Sequence, residues 1–328
     1  MILAGDIGGT NTRLALFGDP AGEPENLQTF SSRAHAGLGE IVAAYCAGLA
    51  HPPGAACFGV AGPVRDGVGR VTNLPWTVDA AALATQLGTR AWVINDLEAN
   101  AHGVAVMPPT SLVELHAGRP EASGNRAIIA AGTGLGEAGL YWDGVTHQPF
   151  ACEGGHASFA PGSPLEDELL VWLRAKYAGH VSWERVVSGM GIVNLHDFLR
   201  QRAGQPDPEF IAAVRRSGGD PGAAISNAGL AGTDPICVET LDWLVALYGA
   251  EAGNLALKLM ATAGLYVGGG IAPRILDKLR DGRFAEAFLA KGRMRATVME
   301  AIPVRVILDD HAALRGSARC AALRLGGS

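Results

Sequence analysis

An aspartate, two glycines, a threonine and an asparagine open the chain as Asp6-Ile7-Gly8-Gly9-Thr10-Asn11, and a second glycine run, Gly132-Thr133-Gly134-Leu135-Gly136, lies near its middle. Glycine lets a backbone turn present its N–H groups to an anion at close range, at φ values other residues resist. Phosphate oxygens are the natural occupants of such a turn. A carboxylate beside the first turn would repel phosphate unless a cation intervened, so Asp6 points to a hydrated Mg²⁺ held through water between carboxylate and phosphates. Met1-Ile2-Leu3 precedes the first turn and Arg13-Leu14-Ala15-Leu16-Phe17 follows it; Ala127-Ile128-Ile129 and Ala138-Gly139-Leu140-Tyr141-Trp142 flank the second. Both turns therefore read as β-hairpin tips. Because a strand and not a helix follows each, the dinucleotide-fold and Walker explanations lose the context they need. Either turn taken alone reads equally well as an ordinary tight hairpin.

Three more groups carry polar chemistry. Asn95-Asp96 stands at the end of the apolar run Ala91-Trp92-Val93-Ile94 and at the start of a helix predicted over Leu97–Val106, where α/β proteins place ligand-facing groups. An aspartate there can take a proton from a substrate hydroxyl, as in phosphoryl transfer, and it can equally cap the helix. Asn95 offers an amide to a neighbouring hydroxyl. In Glu153-Gly154-Gly155-His156 the carboxylate accepts from sugar hydroxyls and the imidazole donates or accepts; a plain turn would use the same residues. Glu184 opens a helix predicted from Trp183 to Arg202, where a carboxylate suits the helix dipole. A third glycine run, Gly268-Gly269-Gly270, follows the strand-like Gly264-Leu265-Tyr266-Val267 and leads to a helix with Pro273 in its first turn. It suits the close approach of a flat adenine and ribose to backbone.

The elements that must position these groups alternate in α/β order. Helices are predicted near Ile41–Leu49 and over Ala80–Leu87, with a strand over Ala55–Ala61 between them. Pro108-Pro109 makes a boundary near residue 107, after which helices dominate: Leu165–Tyr177, a short one inside the polar stretch Arg202–Pro221, and a long one over Pro235–Met260. Val304–Leu308 reads as a strand and Ala312–Leu325 as a terminal helix. Two such halves facing a cleft would place both hairpin loops on one nucleotide.

Composition excludes several classes. The 328 residues suggest about two domains, and 48% hydrophobic with 18% charged residues describe an ordinary globular chain. With 26 basic and 32 acidic residues the net charge is -6 and no dense basic run occurs, so nucleic acid has no electrostatic footprint. Five cysteines lie far apart with no C-x-x-C pair, which argues against structural zinc and a disulfide framework. The first turn starts by residue 5, leaving no secretory signal before it, and no apolar run would span a bilayer. A cytoplasmic protein without membrane attachment is expected.

Taken in order, Asp6-Ile7-Gly8-Gly9-Thr10-Asn11, Thr72-Asn73-Leu74-Pro75-Trp76, Ile94-Asn95-Asp96, Gly132-Thr133-Gly134-Leu135-Gly136, Glu153-Gly154-Gly155-His156, Glu184-Arg185-Val186-Val187-Ser188-Gly189 and Gly268-Gly269-Gly270-Ile271 resemble the bacterial glucokinases of the hexokinase, actin and chaperone-ATPase superfamily. The resemblance runs over essentially the whole chain. It implies an α/β, two-domain hexokinase/actin-like (ribonuclease H-like) fold with an interdomain cleft, made of 1–107 plus 309–328 and of 108–308. It implies ATP-dependent phosphorylation of glucose at the 6-hydroxyl, with Asp96 as general base and Asn95, Glu153, His156 and Glu184 on the other hydroxyls. Asp6, Gly8, Gly9, Thr10 and Asn11, with Gly132, Thr133 and Gly134, would hold phosphates and Mg²⁺, and Gly268, Gly269 and Gly270 would lie near adenosine. Family members are usually homodimers. Lack of a cysteine cluster sets the chain apart from the zinc-containing bacterial glucokinases, the group that includes sugar-responsive repressors. Met190 stands where the family often has proline, and Asp310–Ser317 is poorer in glycine and proline than the family's usual turn. Two rival readings share these motifs: a kinase for mannose, fructose or an amino sugar, and a sugar- and nucleotide-binding regulator without catalysis.

Overall fold

Central strands of a parallel sheet, covered on both faces, read as unbroken apolar runs, and Ala55–Val60, buried at every position, is such a strand. In a computed structural model that describes residues 1–119, 121 and 123–326, it pairs in parallel with Ile2–Ile7 on one side and Arg90–Asn95 on the other. The strands are β1 (Ile2–Ile7), β2 (Asn11–Phe17), β3 (Glu25–Ser31), β4 (Ala55–Val60), β5 (Val64–Arg65), β6 (Val68–Arg70), β7 (Thr77–Asp79) and β8 (Arg90–Asn95). They continue with β9 (Leu112–His116), β10 (Arg126–Ala131), β11 (Leu135–Trp142), β12 (His147–Cys152), β13 (Gly264–Gly268) and β14 (Val304–Ile307). One sheet runs β3-β2-β1-β4-β8, a second β12-β11-β10-β13-β14-β9, and a small third β5-β6-β7. The chain divides into two compact units: Met1–Leu112, Ala138–Ala151 and the segment from Leu308 onward, and Val113–Glu137 with Cys152–Ile307.

In the first unit the alternation of side chains along β1 sorts the core. Leu3 and Ile7 face one cluster with Ile41, Val42 and Tyr45 of the helix Leu38–Ala47, while Ile2 and Ala4 face another with Leu314, Ala318 and Ala321 of the helix Ala312–Gly326. That last helix is rich in small residues because it lies close to backbone: Ser317 Oγ donates to the Gly5 carbonyl at 3.1 Å, and Gly316 has no room for a Cβ against Ala99. The glycine-poor turn before it is held by a side chain instead. Arg315, 2% exposed, donates to Asp309 and Glu23, both at 2.8 Å, and to the carbonyls of Ala21 and Gly22.

In the second unit the helix Pro235–Leu259 is the spine of the core. Asp234 caps it by accepting from the Cys237 amide at 2.9 Å, proline occupies its first turn, and Met260 closes it in the left-handed region. Two expectations need correction. The helix expected to begin at Trp183 begins at Gly189, because Ser188 Oγ accepts the Gly191 amide at 3.0 Å and caps it there; Trp183–Arg185 is a separate 3₁₀ turn whose Trp183 is buried, as are Val186 and Val187. The helix expected at Pro273 forms only over Leu276–Leu279, after a run of turns.

Candidate active site

Parallel strands end together, so β1, β4 and β8 bring their carboxyl ends to one edge of the first sheet: Ile7 is level with Val60, and Val60 with Asn95. Ligands of α/β sheets bind at that edge. Asp6 and the Asn95-Asp96 pair, far apart in sequence, therefore share one edge with β4 between them. The hairpin predicted at Gly8–Thr10 is present, with Asp6 opposite Arg13 across the antiparallel β1–β2 pair. Arg13 donates to Asp6 Oδ2 from Nη2 at 2.6 Å and from Nε at 3.1 Å, which leaves Oδ1 for other partners. The loop is built from within: the Gly8 amide donates to the Asn11 carbonyl at 2.9 Å, the buried Ser32 hydroxyl donates to the Gly8 carbonyl at 2.8 Å, and the Ser32 amide donates to the Thr10 carbonyl at 2.9 Å. A Cβ on Gly9 would come within 3.0 Å of the Thr72 carbonyl, so the Thr72-Asn73 turn, with Asn73 at a φ of 67°, packs against this loop.

Asn95, not Asp96, caps the helix Asp96–Val104. Its Oδ1 accepts from the amides of Leu97 at 2.8 Å and Glu98 at 3.4 Å, while its Nδ2 donates to the Gly62 carbonyl at 3.0 Å. Asp96 is the first helical residue, half-buried, and its Oδ1 also accepts the Leu97 amide at 2.9 Å. The capping that offered a plain alternative for Asp96 thus belongs to its neighbour, and the carboxylate sits at the helix N-terminus on the sheet's carboxyl edge.

The second unit repeats the device. β10 and β13 are parallel, with Ala130 level with Gly268, so the Gly132–Gly134 loop and the Gly268–Gly270 run emerge side by side. The Ile271 amide donates to the Ala131 carbonyl at 3.1 Å. Gly269 has a φ of 82° and its Cα lies hard against the Ala131 backbone, so a side chain there is excluded twice over. Glu184, freed from the helix, turns its carboxylate onto the other loop: Oε2 accepts the Leu135 amide at 3.3 Å and occupies the space a Cβ on Gly134 would need. The Gly189 amide donates to the Gly132 carbonyl at 2.8 Å, joining the start of the next helix to the same loop. Glu153 precedes and His156 ends a 3₁₀ turn after β12, 72% and 61% exposed at their side chains and 3.9 Å apart between Oε2 and Nε2.

Sequence reasoning missed the residues behind these loops. Arg13 was legible as a strand residue, and its pairing with Asp6 follows from hairpin register alone. Tyr248, whose hydroxyl accepts the Ala131 amide at 3.0 Å, and Glu137, whose carboxyl lies against Gly154, carried no local signal, since one lies inside a long helix and the other inside a strand. Among the described residues, His196, Asp197 and Asp207 form a cluster with metal-ligand spacing, but Arg215 already bridges Asp197 and Asp207 and Lys176 pairs with Asp197. Those cations make it an ion-pair network.

The glucokinase family pattern matches residues 3–324. The glucokinase of Nostoc punctiforme is 40% identical over 340 aligned positions, covering 98% of this chain and 99% of that one. Among solved structures, the glucokinase of an Antarctic psychrotroph superposes with a TM-score of 0.85 at 33% identity, covering 98% of each chain. A glucokinase of the ROK family from Streptomyces griseus, solved with glucose and AMPPNP, shares the fold, with a TM-score of 0.67 at 21% identity over 98% of this chain and 99% of that one. The architecture is thus that of the two-domain α/β sugar kinases, and this chain belongs to the glucokinase family of enzymes.

Proposed function

We propose that this enzyme transfers the γ-phosphoryl group of ATP to the 6-hydroxyl of glucose, giving glucose 6-phosphate and ADP, with Asp96 as the general base. The observation that carries this reading is the division of labour at the end of β8: Asn95 takes the structural task and leaves Asp96 at the carboxyl edge of the sheet with a carboxylate not needed as the cap. A base placed there takes the hydroxyl proton as the oxygen attacks phosphorus. Asn95 keeps a second amide hydrogen for a sugar hydroxyl, and Glu153, His156 and Glu184 supply acceptors and donors for the rest.

The loops fit a nucleotide. The amides of Gly8 and Gly132 close their own turns at 2.9 and 2.8 Å, so phosphate contacts fall to the amides of Gly9, Thr10, Thr133 and Gly134. Asn11 starts the strand behind the first loop, and Gly268, Gly269 and Gly270 provide the side-chain-free surface for adenosine. Asp6 fits Mg²⁺ held through water, because Arg13 occupies only its Oδ2. Bound there, Mg²⁺ supplies neutralisation of charge on the phosphoryl oxygens. The ligands of the Streptomyces griseus enzyme, glucose and an ATP analogue, support both substrate classes. The family likeness also supports a homodimer and a cytoplasmic location, and among the described residues no helix is long and apolar enough to cross a membrane.

The test is Mg²⁺-dependent ADP release by purified protein over glucose, mannose, fructose and N-acetylated hexosamines. Release with glucose well above the others is expected. A preference for another hexose would replace glucose as substrate, and glucose binding with no ADP release would replace the kinase by a regulator.

A further inference from the structure

Beneath the Glu153–His156 turn lie two carboxyl groups with almost no access to water. Glu137 on β11 is 1% exposed and Glu251 on the helix Pro235–Leu259 is 0% exposed. Among the described residues neither Oε1 has an N–H or O–H donor, and each carboxyl lies within reach of the other's charge. Two charged carboxylates so fully buried beside one another are strongly disfavoured, so one of them carries a proton. The charge belongs on Glu251. Its Oε2 accepts Asn254 Nδ2 at 2.8 Å, its Oε1 is 3.6 Å from Lys258 Nζ, and Lys291 Nζ reaches Asn254 Oδ1 at 2.7 Å and the Ala250 carbonyl at 2.8 Å. Glu137 is then the acid, with its proton available to Glu251.

The acid touches the turn directly. Glu137 Oε2 fills the place of a Cβ on Gly154, and Cys152 Sγ donates to the Glu137 carbonyl at 3.4 Å. Gly155 has no room for a Cβ against the Leu135 carbonyl. The turn is therefore laid flat on the start of β11, with Glu137 as its floor.

We propose that Glu137 and Glu251 act as a positioning pair, holding the Glu153–His156 turn down on β11 while they share one proton and releasing it when that proton is lost. This rests on the reading of the turn as part of the sugar site. The groups facing the pair are Lys258 and Asn254 from the same helix as Glu251, Tyr248 one turn earlier, Lys291 from the segment after the helix Arg283–Leu289, and Cys152 from β12. Lys258 and Lys291 oppose loss of charge from Glu251, while burial and then the Glu251 charge push the Glu137 carboxyl up to about 8. Above that point the floor of the turn carries two like charges.

The test follows KM and kcat for glucose separately from about pH 6.5 to about pH 9.5. The wild-type KM is expected to climb several-fold above about pH 8 with a smaller change in kcat. In Glu137→Gln an amide donates to Glu251 and cannot ionise, so its KM, whatever its value at neutrality, stays level as pH rises. Glu251→Gln removes the other charge and should flatten the same limb. An alkaline rise in KM retained in both variants would overturn the proposal. Amide hydrogen exchange of residues 152–157 without sugar gives a readout free of activity: variant and wild type should diverge at alkaline pH, and equal exchange would overturn the pair's role even in a chain without kinase activity.

Discussion

Tyr248 Oη accepts the backbone N–H of Ala131 at 3.0 Å. The same hydroxyl lies 3.2 Å from the Gly268 carbonyl and 3.3 Å from that of Ile129, so its single proton serves two acceptors. Ala131 immediately precedes the Gly132 loop and Gly268 begins the third glycine run, so one fully buried phenol ties both loops to the long helix. Tyr248→Phe keeps the ring and strands the Ala131 amide. Stability should fall by about 1–3 kcal/mol, and KM for ATP should rise more than kcat falls. Unchanged melting together with an unchanged ATP KM would show that the loops hold themselves.

That role was out of reach of sequence reasoning because it joins positions 117 residues apart through one hydrogen bond. What could be read was local. The hairpin tips and the capped helices Ala80–Leu87 and Pro235–Leu259 are each set by residues within a few positions of one another. Glu184 went astray for the same reason: helical spacing runs through Trp183–Arg202, but the Ser188 cap and the burial of Val186 and Val187 break it, and only the tertiary structure turns Glu184 toward Leu135. Asp96 shows the opposite case. Residue type alone pointed to capping before catalysis, and the bonds from the Leu97 and Glu98 amides to Asn95 Oδ1 give the cap to Asn95.

Gly134 and Glu184 should behave as one unit. A methyl group on Gly134 collides with Glu184 Oε2, so Gly134→Ala must displace that carboxylate and break its 3.3 Å bond to the Leu135 amide. Both the ATP and the sugar KM should rise. Glu184→Ala removes the obstacle, so in the double variant the added cost of Gly134→Ala on the ATP KM should largely vanish. Strictly additive effects would mean that the loop and the carboxylate act apart.

Asp96 and Asn95 can be separated by comparing stability with turnover. Asp96→Asn retains an oxygen to accept the Leu97 amide and leaves the cap in place, so melting should shift by less than about 0.5 kcal/mol while turnover falls about 10²–10⁴-fold. Asn95→Ala loses the cap and the bond to the Gly62 carbonyl, and should cost about 0.5–2 kcal/mol. An Asp96→Asn enzyme with near-normal turnover would remove Asp96 as the base.

The buried pair also sets how folding responds to pH. Burial, followed by the neighbouring Glu251 charge, raises the Glu137 carboxyl from 4.5 to about 8. An acid whose folded pKa is raised holds a proton that the unfolded chain has already released, so stability falls as pH climbs from about 4.5 toward about 8 and levels off beyond. Other titrating groups bend the curves of wild type and Glu137→Gln alike, and the difference between the two isolates this contribution. The variant should therefore gain melting temperature relative to wild type steadily through that window and hold the gain above it. A difference that stays constant with pH would mean that the pair is charged in the same way whether the chain is folded or not, which the burial of both carboxyls argues against.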